Sequence, residues 1–401
     1  MPQKNNFDLS DFLSIPLQEW EVKALEELKT DSHRDLQWKT EGLSVDALYT
    51  KKDIQKLSYL ENFHSYFSLK SPRHWYTRDV VKVKDFGEAN IKAKALLEKG
   101  ANAIAFDIRD IPITAQNLPL LLKDISFKFY PIHFYSSASP LFLVKSMLDH
   151  SCHEIKGSYG YELLTNWMSS KNFSEVNIKE LATTIALVQE APRYKILNID
   201  SSYFHENEMG VIKEVAYTIS LALDYIDRLT ESGAAVTNVL SNYEFSFSIG
   251  KNYFLQIAKL RAFRLIWNKI TEACDPDFDS FSTPIHCITS GHYFSKEDPY
   301  QNIFQNTTAA MAAILGGCDS LSITPFDNNS KEENEFSSRI SRNISLILKE
   351  EAYFDKTIDP GAGSFYIENL TNSIAEKAWV MITNIEKQGG FINAWEKSLI
   401  H

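Results

Sequence analysis

The densest run of reactive side chains is His286-Cys287-Ile288-Thr289-Ser290-Gly291-His292, followed closely by Asp298-Pro299-Tyr300. Imidazoles, a thiol and hydroxyls this close together could pass protons or attack a substrate. A plain reading is an enzyme that uses His286 and Asp298. Chemistry of that kind needs a scaffold that aims these groups at one point, so the elements around the run decide what it is worth.

Metal and disulfide chemistry have little support. Cys152, Cys274, Cys287 and Cys318 lie far apart with no CxxC spacing, so they read as buried free thiols. The net charge of −11 and pI near 5.5 provide no basic stripe, which argues against nucleic acid and anionic membrane as partners. No apolar run reaches the ~18 residues of a membrane helix, and MPQKNNFDLSDF lacks the apolar core of a signal peptide. A cytoplasmic location is the expectation.

From residue 74 onward, short apolar runs alternate with helix-patterned stretches. Strands are expected at 74–81, 102–108, 130–135, 154–158, 194–200, 243–249, 284–290 and 319–324. Eight strands with intervening helices and no GxGxxG turn predict an α/β fold, a (β/α)8 TIM barrel over 74–401. Residues 1–73 form an N-terminal helical arm and linker, with a helix pattern at 17–29 and a further run from Trp38 to Tyr49. Asp298 is expected to cap a helix with Pro299 in its first position and Gly316-Gly317 at its end. The segment 251–270, with Phe254, Ile257, Ala258, Arg261 and Leu265 at helical spacing, reads as a packed outer helix.

On such a barrel the reactive run begins on strand seven and continues into its loop, at the C-terminal face where functional groups stand. Strand alternation turns Ser246, Ser248, Ser320, Ser322 and Thr324 inward, where most barrels place Val, Ile and Leu. A small, polar axis suggests a threaded ligand, narrowed at its C-terminal mouth by Ile288 and His292.

Several ordered stretches resemble the barrel of the methylmalonyl-CoA mutase family: Ala258-Lys259-Leu260-Arg261, His286–Gly291, Asp298–Tyr300, Ala310-Met311-Ala312-Ala313, Phe336–Asn343 and Asp359-Pro360-Gly361-Ala362-Gly363-Ser364-Phe365-Tyr366. The resemblance covers roughly residues 74–395. It implies a barrel threaded by coenzyme A and a radical isomerisation of methylmalonyl-CoA to succinyl-CoA, started by adenosylcobalamin.

The catalytic positions of that family are not kept. Its Arg-Gln-Tyr run on strand one corresponds to Arg78-Asp79-Val80, and valine donates no hydrogen bond. Its carboxylate-binding arginine has no counterpart, because no arginine lies between Arg109 and Arg193; Lys156 is a poor substitute. The family's strand-seven glutamine and tryptophan are Ile288 and His292, and its strand-eight Asp-Glu is Asp327-Asn328. Tyr203 takes the register of a family histidine, with His205 two places later. His205, His286 and Ser290 are left as residual site residues.

The cobalamin module's Asp-x-His-x-x-Gly does not appear before the chain ends at His401. Two readings follow from the resemblance. The chain is a degenerate, non-catalytic small subunit paired in a heterodimer with a large catalytic subunit that holds adenosylcobalamin, this chain binding no cofactor. Alternatively, it is the active barrel subunit of a split acyl-CoA mutase whose cobalamin domain is a separate polypeptide.

Overall fold

The computed structural model describes residues 15–30, 32–60, 74–114, 116–149, 154–161, 175–328 and 334–400. Nine strands form one parallel sheet: β3 (Tyr76–Lys82), β4 (Ala103–Asp107), β5 (Ile132–Ser136), β6 (Gly157–Tyr161), β7 (Tyr194–Lys195), β8 (Leu197–Asp200), β9 (Tyr243–Ile249), β10 (Ile285–Thr289) and β11 (Ser320–Ser322). The short pair β7 and β8 is one stave interrupted at Ile196. Its first half pairs with β6 and its second with β9, so residues 194–200 bring the two ends of the sheet together. The result is a (β/α)8 barrel with eight staves, each at or beside a segment expected from the sequence. The largest displacement is at β6, which begins at Gly157 instead of residue 154.

Alternation along each strand separates two chemistries. Facing the helices, Tyr243, Phe245 and Phe247 of β9 pack edge-on against Phe263 and Trp267 of the helix Tyr253–Cys274. The next helix, Gln301–Gly316, comes close enough that a Cβ on Gly316 would lie 2.7 Å from Leu260. These contacts supply the apolar burial that stabilises the barrel.

Ion pairs fasten the outer layer, and most of them come from the stretches that carried the resemblance. Lys259 donates to both Glu214 oxygens at 2.8 and 2.9 Å. Arg342 reaches Asp79 at 2.7 Å, and Arg264 reaches Asp319 at 2.7 Å. Arg261 binds Asp359 and Glu368 together. These stretches therefore tie outer helices to one another and, through Arg342 and Asp79, to the barrel.

Ahead of the barrel, β1 (Gln37–Thr40) and β2 (Leu43–Asp46) form a hairpin across Glu41-Gly42, both at positive φ as a two-residue turn requires. Leu43 and Val45 are buried, and Glu41 accepts a hydrogen bond from the Val211 amide at 2.9 Å. The helix Leu17–Leu28 buries none of its residues.

Three expectations need correction. The helix expected from Pro299 starts at Gln301; the Asp298 and Pro299 carbonyls accept from Gln301 and Asn302, so Asp298 caps with its backbone rather than its carboxylate. Phe254 is 47% exposed, since it sits in the first turn beyond the reach of the barrel wall and touches Tyr366. Cys274 is exposed at the end of its helix, whereas Cys287 and Cys318 are buried; Cys152 lies outside the described residues. Among the described residues, no helix is long and apolar enough to cross a membrane.

Candidate functional site

The inward residues of the staves meet along the axis in a polar network. Arg78 of β3 donates from Nη2 to Glu244 of β9 at 2.6 Å and to the Ser320 hydroxyl at 2.9 Å. Glu244 also accepts from Ser158 and, at 2.7 Å, from Asn198. Asn198 further donates to Ser246 at 3.0 Å. His286 shares a 2.8 Å hydrogen bond with Ser320, and His133 one of 2.8 Å with Ser158. Arg78, Glu244, His133 and His286 are all buried. Beside them, Ala103 and Ala105 are fully buried yet stand apart from the apolar cluster, as residues that face this network must.

Burial and charge act in opposition here. Burial works against the Arg78 charge, but the Glu244 carboxylate outweighs it and holds the guanidinium pKa above its ordinary value. Glu244 is disfavoured by burial as well, and Arg78 brings its pKa below the usual range. Burial, with Arg78 next, pushes His133 and His286 well below the ordinary imidazole value, so both are neutral near pH 7.

That pattern sets a pH dependence. A histidine whose folded pKa is depressed binds fewer protons folded than unfolded, so stability rises with pH and is lost as pH falls below the unfolded value near 6.5. Asp224 and Glu386, raised by burial to about 6 and about 7, act in the opposite direction, so the histidine effect is read as a difference. The stability difference between wild type and His133→Asn should shrink by up to about 1.4 kcal/mol per unit as pH falls below about 6.5. A difference that stays flat from pH 7 to pH 5 in urea titrations would mean that His133 titrates normally.

Each residue singled out from sequence has a place in this frame. Ser246 and Ser320 are within the network, with Ser248 and Ser322 one layer higher; Ser322 donates to the Arg78 carbonyl at 2.7 Å. Thr324 lies beyond the end of β11 and bonds the Thr289 carbonyl at 2.5 Å. Val80, two residues above Arg78, is 44% exposed at the mouth. Ile288 stands half-buried in register with Ser248 and Ser322. Ser290 accepts from the His292 amide at 3.3 Å, and His292 turns to the rim, 3.3 Å from Glu208. Asn328 is exposed beside Gly291.

His205 is buried behind the mouth, its Nδ1 3.6 Å from the same Glu214 that receives Lys259. Among the described residues its Nε2 has no hydrogen-bond partner, and the ring lies against Gly250 and Tyr293. His286 and Ser290, four residues apart in sequence, are separated: one is locked mid-axis by Ser320, the other is at the rim. The reactive run thus does not converge on one point.

Sequence reading missed Arg78, Glu244, His133, Ser158 and Asn198 as axis residues. The signal was available, because Glu244 is two residues from Ser246 and shares its face.

Comparison with known proteins follows the same lines. The family profile described as Methylmalonyl-CoA mutase matches residues 113–401. The chain is 31% identical over 410 residues to the methylmalonyl-CoA mutase small subunit of Porphyromonas gingivalis, covering 98% of this chain and 66% of that one. Against the large subunit of the same organism identity is 27%, over 90% of this chain and 56% of that one. Against the methylmalonyl-CoA mutase of Rhizobium meliloti it is 28%, over 94% and 59%. The chain spans 56% to 66% of the length of these relatives.

Proposed function

The chain belongs to the methylmalonyl-CoA mutase family, and from that premise we propose that it is the small, non-catalytic subunit of a heterodimeric mutase. In this reading a longer partner binds adenosylcobalamin and interconverts methylmalonyl-CoA and succinyl-CoA. The observation that carries it is the filled axis: the buried Arg78–Glu244 pair and its hydrogen-bonded neighbours occupy the space a coenzyme A chain would have to thread. The higher identity to a small subunit than to the large subunit of one organism supports the same side.

The mouth agrees with this. Val80 and Ile288 present alkyl groups, His292 is engaged with Glu208, and the unpartnered His205 Nε2 is buried. These residues do not fit adenosylcobalamin, which needs hydrogen-bonding groups toward its face. We assign no cofactor to this chain and place it, with its partner, in the cytoplasm. Residues 1–73 would serve as an arm outside a barrel domain spanning 74–401. The helix Leu17–Leu28, with Val22 and Leu28 more than half exposed, is suited to cover the partner.

The test is co-expression with the longer chain. The two should copurify one-to-one across an interface of about 2,000 Å² or more, and the pure small chain should show no mutase turnover even with a stand-alone cobalamin protein added. Deleting residues 1–30 should weaken the pair. Turnover by the small chain with that cobalamin protein would instead establish the split-enzyme reading.

A further inference from the structure

The opposite end of the barrel holds a second feature. A cavity of about 220 Å³ opens at the N-terminal ends of the strands, lined by Arg78, His133, Lys156, Arg193, Lys195 and Glu244. Asp319 also lines it. The two carboxylates already have cations: Glu244 pairs with Arg78 at 2.6 Å, and Asp319 with Arg264 at 2.7 Å. Lys156, Arg193 and Lys195 are therefore surplus positive charge within the lining. Among the described residues, Lys195 donates only to the carbonyls of Ser241, at 2.6 Å, and Pro192, at 3.3 Å.

Two buried side chains end there with unmet hydrogen-bonding capacity. Arg78 lies beside the Tyr135 hydroxyl, yet its Nε and Nη1 make no full hydrogen bond. Among the described residues, His133 Nε2 has no hydrogen-bond partner. Its chemistry can be deduced: the Ser158 hydroxyl donates its only proton to Glu244, so Ser158 must accept from His133 Nδ1–H. A neutral imidazole protonated at Nδ1 carries a lone pair on Nε2. The cavity thus offers excess positive charge, guanidinium N–H groups that Glu244, Ser320 and Tyr135 do not fully satisfy, and one buried acceptor. Leaving such groups unmet in a buried setting is unfavourable.

We propose that this N-terminal mouth binds a small anion that itself carries a hydrogen-bond donor, of the hydrogen phosphate or hydroxy-acid class. The anionic oxygens answer the guanidinium and the lysines, and the hydroxyl answers His133 Nε2. The filled axis above limits the ligand to the cavity. Chloride and acetate match the charge and lack the donor.

The experiment is isothermal titration of the full-length chain with inorganic phosphate, lactate, glycerol 3-phosphate and acetate at constant ionic strength. One equivalent of phosphate, glycerol 3-phosphate or lactate should bind, each tighter than acetate by about tenfold or more. The strongest of the three identifies the source of the anion. Lys156 is half-buried and Arg193 exposed, so Lys156→Met/Arg193→Met should keep the wild-type melting temperature in chloride while losing most of the binding. A His133→Phe variant should erase the preference over acetate. Absence of binding at millimolar concentration, or binding unchanged in the double variant, overturns the proposal.

Discussion

Glu244→Leu should lower the unfolding free energy by about 3–5 kcal/mol, because it strands the Arg78 guanidinium inside the barrel without a countercharge. Arg78 is 1% exposed and Glu244 2%, so water from the N-terminal cavity that both line replaces the missing partner only in part. Ser158 and Asn198 lose an acceptor in the same step. Arg78→Met should be comparably damaging, since it leaves the carboxylate alone. The double variant Arg78→Met/Glu244→Leu should recover much of the loss, as buried pairs replaced together by apolar groups of similar volume often do. Urea denaturation of all three proteins measures the cycle. A single-variant cost under about 1 kcal/mol would mean that the axis is wetter and looser than its hydrogen bonds indicate.

That cycle bears on function through geometry. A barrel used by a threaded ligand leaves its axis free, and its polar lining finds partners in the ligand. Here the lining finds partners in itself: Arg78, Glu244, Ser320 and His286 form a bonded chain across the barrel. On the non-catalytic reading proposed above, Val80→Tyr with Ile288→Gln would add hydrogen-bonding groups at the mouth above an axis that Arg78 and Glu244 still bridge.

The barrel was legible because its strands are apolar on the helix side, and runs such as Tyr243–Ile249 stand out from their surroundings. The axis was only half legible. Serines in alternation read easily as a lining, but a charged residue such as Glu244 or Arg78 inside a strand suggests solvent unless its opposite charge is known to face it. That partner lies 166 residues away, and no local pattern connects the two. The displaced fourth strand has a different cause. Its sequence, Gly157-Ser158-Tyr159-Gly160-Tyr161, is poor in β-branched residues, and the strand exists because Gly157, at φ +128°, fits where a Cβ would overlap the Ile132 carbonyl. The reactive run misled most, since residue types alone could not show that His286 points down into the axis while His292 turns to the rim.

Arg261 sits where the outer layer is most dependent on one side chain. It is buried in the helix Tyr253–Cys274 and binds Asp359 and Glu368 at once, the latter at 2.7 Å. Glu368 also accepts from the Gly363 amide at 3.0 Å and the Tyr59 hydroxyl at 2.8 Å. One guanidinium therefore ties together the loop Asp359–Ser364, the long helix Phe365–Lys387 and the segment ahead of the barrel. Burial opposes the Glu368 charge, and Arg261 is the main influence that keeps its pKa below the ordinary range. Arg261→Leu removes the charge and leaves two carboxylates facing each other in the protein, so a loss of about 3–5 kcal/mol or more is expected. Because Glu368 holds a depressed pKa, its contribution is present above the unfolded value near 4.5 and is lost as pH falls through the folded value. Without Arg261 that direction reverses: the paired carboxylates should gain protons and the variant should recover stability between pH 7 and pH 5 relative to wild type. Arg261→Lys should rescue only part of the loss, since an ammonium cannot span both acids as a planar fork does. Thermal melts of the three proteins across that range test the assignment, and a variant deficit independent of pH would show that packing, not charge, is what Arg261 supplies.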